Sequence, residues 1–150
     1  MIQRIQTIYL LLVCVLMSLT LCSPLATLSG SEQLYLFNAC GFYLGSENVS
    51  PTWGVLTFAG LSAVVALVSI FLYKNRKKQI KVVNLNSLLI LLFYVTFGVY
   101  LIVSAGRLNL SFPKMSYGLA LPLVALILNT LAYLKIKADE KLVQSLNRIR

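Results

Sequence analysis

The chain carries few residues able to do chemistry. It has no histidine and only 4 acidic residues in 150. Those four, Glu32, Glu47, Asp139 and Glu140, all fall outside the long apolar runs. Proton-coupled transport and intramembrane metal hydrolysis both need an ionisable or metal-binding group facing the interior of such runs. A small multidrug exporter of four helices would need a carboxylate in its first helix, and none is present there. No nucleophile, base and orienting group can be assembled from residues in or beside the runs. The expectation is a protein that is not an enzyme and holds neither metal nor cofactor.

Three cysteines occur, Cys14, Cys22 and Cys40, with no C-x-x-C pair of the kind a quinone-linked thiol oxidoreductase would use. Cys22 and Cys40 could form a structural disulfide in an oxidising compartment, tethering a loop to the first helix; free thiols are the alternative. Asn129, between Leu128 and Thr130, is placed either to make an interhelical hydrogen bond or to meet a lipid or solute. Asn84 and Asn86 read as helix-end residues. Asn48-Val49-Ser50 and Asn109-Leu110-Ser111 match a glycosylation acceptor pattern that is common by chance.

The elements that must position these residues are dictated by hydropathy. With 59% hydrophobic and 11% charged residues blocked into runs, the expectation is an all-α integral membrane protein, a single domain over 1–150 with four transmembrane helices in an up-down bundle. The spans fall at about 5–22, 53–73, 85–104 and 117–134. The first, opened by Arg4, also has the charge order of a signal peptide, but no A-x-A pattern follows it, so an uncleaved helix is expected. In the second, Ala59, Ser62, Ala63, Ala66 and Ser69 recur at three- and four-residue steps and make a helix-packing face. Pro122 sits within the first two turns of the fourth span, where a lost backbone bond costs least.

Between spans one and two, residues 23–52 hold an aromatic patch. Leu34 to Phe37 and Phe42 to Leu44 flank a turn at Asn38 to Gly41, which suits a short β-hairpin in this first external loop. The second external loop is 105–116. The tail, 135–150, places Leu142, Val143, Leu146 and Ile149 on one face and reads as an amphipathic C-terminal helix, either continuing span four or lying along the membrane surface, with a partner-binding helix equally compatible.

Charge sets the orientation. Arg4, the loop residues Lys74, Arg76, Lys77, Lys78 and Lys81, and five residues of the tail lie on one side; only Arg107 and Lys114 lie on the other. The positive-inside rule puts both termini and the 74–84 loop in the cytoplasm, with basic groups among anionic lipid headgroups. A net charge of +9 distributed between apolar runs does not make the basic face that nucleic acid requires, so no nucleic acid is expected.

Met1-Ile2-Gln3-Arg4-Ile5-Gln6-Thr7 with Tyr9-Leu10-Leu11-Leu12, and the closing Ala138-Asp139-Glu140-Lys141-Leu142-Val143 with Arg148-Ile149-Arg150, resemble a family of small four-helix bacterial membrane proteins catalogued as a domain of unknown function. The resemblance implies a bacterial inner (plasma) membrane location and supplies no activity or ligand. Both signatures would meet on one side of the membrane, where Arg4 is placed to pair with Asp139 or Glu140. Among functions, a non-enzymatic scaffold or accessory subunit, binding a membrane partner or a second copy of itself, demands no buried charge and leads. A lipid- or small-solute-handling protein is the alternative.

Overall fold

The computed structural model describes residues 2–29, 34–44, 47–108 and 114–148. Four long helices dominate: α1 (Ile2–Cys22), α2 (Trp53–Phe71), α3 (Arg76–Leu108) and α4 (Ala120–Arg148). Each contains a stretch long and apolar enough to cross a membrane. They pack as a ring, α1 between α2 and α4 and α3 between the same two.

The ring is written into the sequence as a 3-4 repeat on every helix. The buried positions in this repeat are Gln6, Leu10, Val13, Met17 and Thr20 on α1, and Val55, Ala59, Ser62, Ala66 and Ser69 on α2, with Ala63 buried beside them. On α3 they are Gln79, Val83, Asn86, Ile90, Phe93 and Phe97, and on α4 Ala125, Asn129, Ala132, Ile136 and Asp139. A mean step of 3.5 residues keeps one seam of each helix turned to its neighbours along the whole bundle. Outside the seam the helices stay apolar, with Leu61, Val64, Leu88, Leu91 and Val95 exposed.

One helix boundary differs from the sequence expectation. Residues 74–84 do not form a loop. A 3-10 turn (Leu72–Lys74) follows α2, and only Asn75 separates it from α3, whose Gln79 N–H donates to the Asn75 carbonyl at 2.9 Å. Arg, Lys and Gln are good helix formers, so Arg76, Lys77 and Lys78 open α3 although they lie outside its apolar run. The tail continues α4 without interruption to Arg148, the first of its readings. Pro122 lies in the first turn of α4, where its missing N–H would have no intrahelical acceptor.

At the opposite end of the bundle the aromatic hairpin is present, inside a larger antiparallel sheet. Its strands are β1 (Pro24–Ser29), β2 (Leu34–Asn38), β3 (Gly41–Leu44), β4 (Glu47–Pro51) and β5 (Lys114–Met115), in the order β4-β3-β2-β1-β5. Phe37 of β2 stands opposite Phe42 of β3. A bulge between Pro24 and Ala26 lets the consecutive residues Leu25 and Ala26 both enter the core, which regular alternation would forbid. Thr52, buried between β4 and α2, donates to the carbonyls of Asn38 (3.1 Å) and Ala39 (2.9 Å), tying the hairpin turn to the helix start. The Phe37 ring meets Phe97 of α3 edge-on at 5.2 Å, so sheet and helices share one core.

One close approach locks this end. In the 3-10 turn Tyr117–Leu119 ahead of α4, a Cβ on Gly118 would lie 2.3 Å from the backbone oxygen of Pro24, whereas a Cβ on Gly60 of α2 meets nothing within 4 Å. Gly118→Ala is therefore expected to cost about 1–3 kcal/mol through overpacking against backbone. Gly60→Ala should be neutral or gain up to about 1 kcal/mol of helix propensity. Thermal unfolding of both variants in one detergent checks this pair.

Candidate functional site

Apart from Thr20 of α1, whose hydroxyl donates to the Leu16 carbonyl of its own helix, the described polar residues buried in the helix seams gather at two levels. Midway between the sheet and the basic end, Ser62 of α2 donates to Asn86 Oδ1 of α3 at 2.8 Å. The Asn86 amide donates to Asn129 Oδ1 of α4 at 3.1 Å. The Asn129 amide in turn donates to the Val83 carbonyl (2.9 Å) and to Ser87 Oγ (2.8 Å). Three helices are joined by one chain of side-chain hydrogen bonds, and Ser62, Asn86 and Asn129 have no solvent exposure. Asn129 thus makes the interhelical bond that was one of its two readings. Asn86 corrects its reading as a helix-end residue, since α3 begins ten residues before it. Asn84 is exposed.

The second level closes the basic end and takes one seam residue from each helix: Gln6, Ser69, Gln79 and Asp139. The Gln6 amide donates to Asp139 Oδ2, joining α1 to α4. The Gln79 amide donates to the Ser69 carbonyl at 3.0 Å, joining α3 to α2. Arg76 then donates to the backbone oxygen of Asp139 at 3.3 Å, joining α3 to α4. Between the two levels lies an apolar layer of Leu10, Val83, Ala132 and Ile136. Sequence reasoning missed Gln6, Gln79 and Asn86 as interior residues. The signal was available, because all three continue the 3-4 repeat of the apolar residues after them.

The remaining sequence candidates are distributed as follows. Ala59, Ser62, Ala63, Ala66 and Ser69 are all buried, with α2 packed between α1 and α3. Arg76 is half-buried; Lys77, Lys78 and Lys81 are exposed. Asp139 reaches α1 through Gln6, and Glu140 accepts from Gln144 at 3.0 Å; the side chains of Arg4 and Lys74 lie outside the described residues, as does Asn109. Cys22 and Cys40 are both exposed, with free thiols in this structure, and Pro24 pairing with Asn38 brings their neighbours together. Among the described residues no group of three His, Cys, Asp or Glu could hold a metal ion.

These features define a class: a sheet-capped bundle of four apolar helices whose interior polar groups bond to one another across the helix seams. The family described as a domain of unknown function (DUF4293) matches residues 2–149, and the chain belongs to that family. No curated protein matches the chain.

The Asn86–Asn129 bond has a measurable coupling. Asn129→Ala leaves the Asn86 amide without its acceptor, and each single alanine variant is expected to lose about 1–2 kcal/mol. The double variant should lose less than the sum, by a coupling on the order of 0.6–1.7 kcal/mol. A double-mutant cycle of unfolding in detergent measures it; strict additivity would show that the two amides act independently.

Proposed function

We propose that this protein is a non-enzymatic membrane scaffold or accessory subunit that presents the end of α4 to a partner in the cytoplasm of a bacterial cell. The observation carrying this reading is the last stretch of that helix. Residues 141–145 are all exposed, and Leu142 and Val143 remain 58% and 40% exposed on a helix continuous with the bundle. In the sequence Leu142, Leu146 and Ile149 follow at i, i+4 and i+7, the anchor spacing of helix-in-groove recognition.

Membrane placement is supported by the aromatic belts. Trp53 and Tyr73, both exposed, bracket α2 with its 3-10 turn, and twenty residues at 1.5 Å each separate them by about 30 Å, the thickness of a bilayer's hydrocarbon core. Lys137 lies 5.5 Å from the centre of the Tyr133 ring, an arrangement suited to a lysine reaching for an interface. The excess of basic residues at the α2–α3 turn and in α4 supports both termini facing the cytoplasm, with the sheet outside, in the inner membrane.

Two measurements test this. A membrane-impermeant maleimide applied to intact cells should label Cys40 in the β2–β3 turn, and should label Lys78→Cys only after the membrane is opened. The opposite pattern would overturn the orientation. Native mass spectrometry of gently extracted protein should show a stoichiometric partner or second copy that Leu142→Ser with Val143→Ser removes. A bare monomer, or a partner indifferent to those substitutions, would overturn the scaffold reading.

A further inference from the structure

We propose that a cleft at the basic end of the bundle binds the phosphate of an anionic phospholipid headgroup. The cleft has a volume of about 470 Å³ and is lined by Asn75, Arg76, Lys77, Lys78, Glu140 and Val143. The proposal rests on the membrane placement above and does not depend on the scaffold role. Its walls come from two separate parts of the chain, the start of α3 and the projecting part of α4, so the site exists only in the folded bundle.

Charge argues for an anion. Three cationic side chains face one carboxylate in the lining, and that carboxylate, Glu140, already accepts from Gln144. Lys77 and Lys78 make no hydrogen bond or ion pair among the described residues. Arg76 is held differently. One guanidinium nitrogen donates to the Asp139 backbone oxygen, and Asp139 is itself fixed by Gln6, so the rest of the planar fork is positioned before any ligand arrives. The cleft also adjoins the first turn of a 33-residue helix, whose leading N–H groups and dipole add to the positive potential.

Depth argues for a lipid as the source. Phe71 and Tyr73, 71% and 50% exposed, are within one turn of Asn75 and mark the boundary of the apolar belt, so the cleft lies where headgroup phosphates are found. Val143 gives the lining an apolar element beside its cations, which suits an amphiphile better than a soluble phosphate.

The test uses full-length protein in a neutral detergent, titrated with phosphatidylglycerol, phosphatidylcholine or inorganic phosphate and read by native mass spectrometry. One phosphatidylglycerol per chain should be retained in preference to phosphatidylcholine. Lys77→Gln with Lys78→Gln should weaken that retention roughly tenfold or more, each lysine near an anionic headgroup contributing a factor of about five. Lys77→Arg with Lys78→Arg should keep it. Lys135→Gln with Lys137→Gln removes equal charge outside the cleft and should change it little. Equal weakening by both glutamine pairs would overturn the site in favour of diffuse attraction, and equal retention of both lipids would overturn its charge selectivity. Binding of inorganic phosphate without phosphatidylglycerol would overturn the lipid assignment. Maleimide labelling is unaffected by any of these results, so failure of the site and failure of the membrane placement are told apart.

Discussion

In the membrane placement proposed above, a helix whose outer face is as apolar as its inner face gains little by hiding leucines, so what holds these four together has to be close approach and hydrogen bonding along a narrow seam. Everything else in the molecule follows from that seam. Ala59, Ala63 and Ala66 keep the α2 backbone near its neighbours, and Ser62 and Ser69 spend no volume that alanine would not. Larger residues on the facing helices, Met17, Ile90 and Phe93, fill the space this leaves. The amides enter at the same repeat positions. An Asn at a seam position can bond only to a partner at matching height, so Asn86 and Asn129 set the vertical register between α3 and α4 as well as contributing stability.

The two ends of the bundle are closed by different physics. At the sheet end the closure is covalent and continuous. Only Ser23 separates α1 from β1 and only Thr52 separates β4 from α2, so the strands cannot shift without moving two helices. Gly118 permits the turn before α4 to lie against the Pro24 backbone, and Ser116 N–H donates to Leu25 O at 3.1 Å, which brings α4 under the same cap. Among the described residues the basic end has no such cover. There a layer of Gln6, Ser69, Gln79 and Asp139, bonded in pairs, terminates the apolar interior, and α4 passes beyond it into the open.

This difference also explains what could be read from the sequence. Helix number and the small-residue face of α2 were visible because hydropathy and 3-4 spacing are local properties. The β2–β3 hairpin was visible for the same reason, its aromatic runs flanking a turn of Asn38 to Gly41. β1, β4 and β5 were not. Pro-Leu-Ala-Thr-Leu-Ser has weak strand propensity, and its pairing with Lys114 and Met115 spans most of the chain, so β1 is a strand because of its neighbours. The start of α3 differs from the sequence reading for another reason: a charged run marks where an apolar span ends, and a helix can begin well before that boundary. Asn86 was lost with it, because a span drawn from Leu85 puts that amide at a helix terminus.

The burial of Asp139 ties these points to function. It is the one acidic residue within the seams, and it is satisfied by an amide from α1 while its backbone oxygen receives a guanidinium from α3. Burying a carboxylate requires such donors, since a missing partner leaves an uncompensated charge. One residue on, Glu140 is half-exposed and turned to its own helix, and from Lys141 the described side chains of α4 are exposed. Asp139 is therefore the point at which α4 changes from a packed element to a presented one. The three-helix clamp around it fixes the direction in which the rest of the helix leaves the bundle.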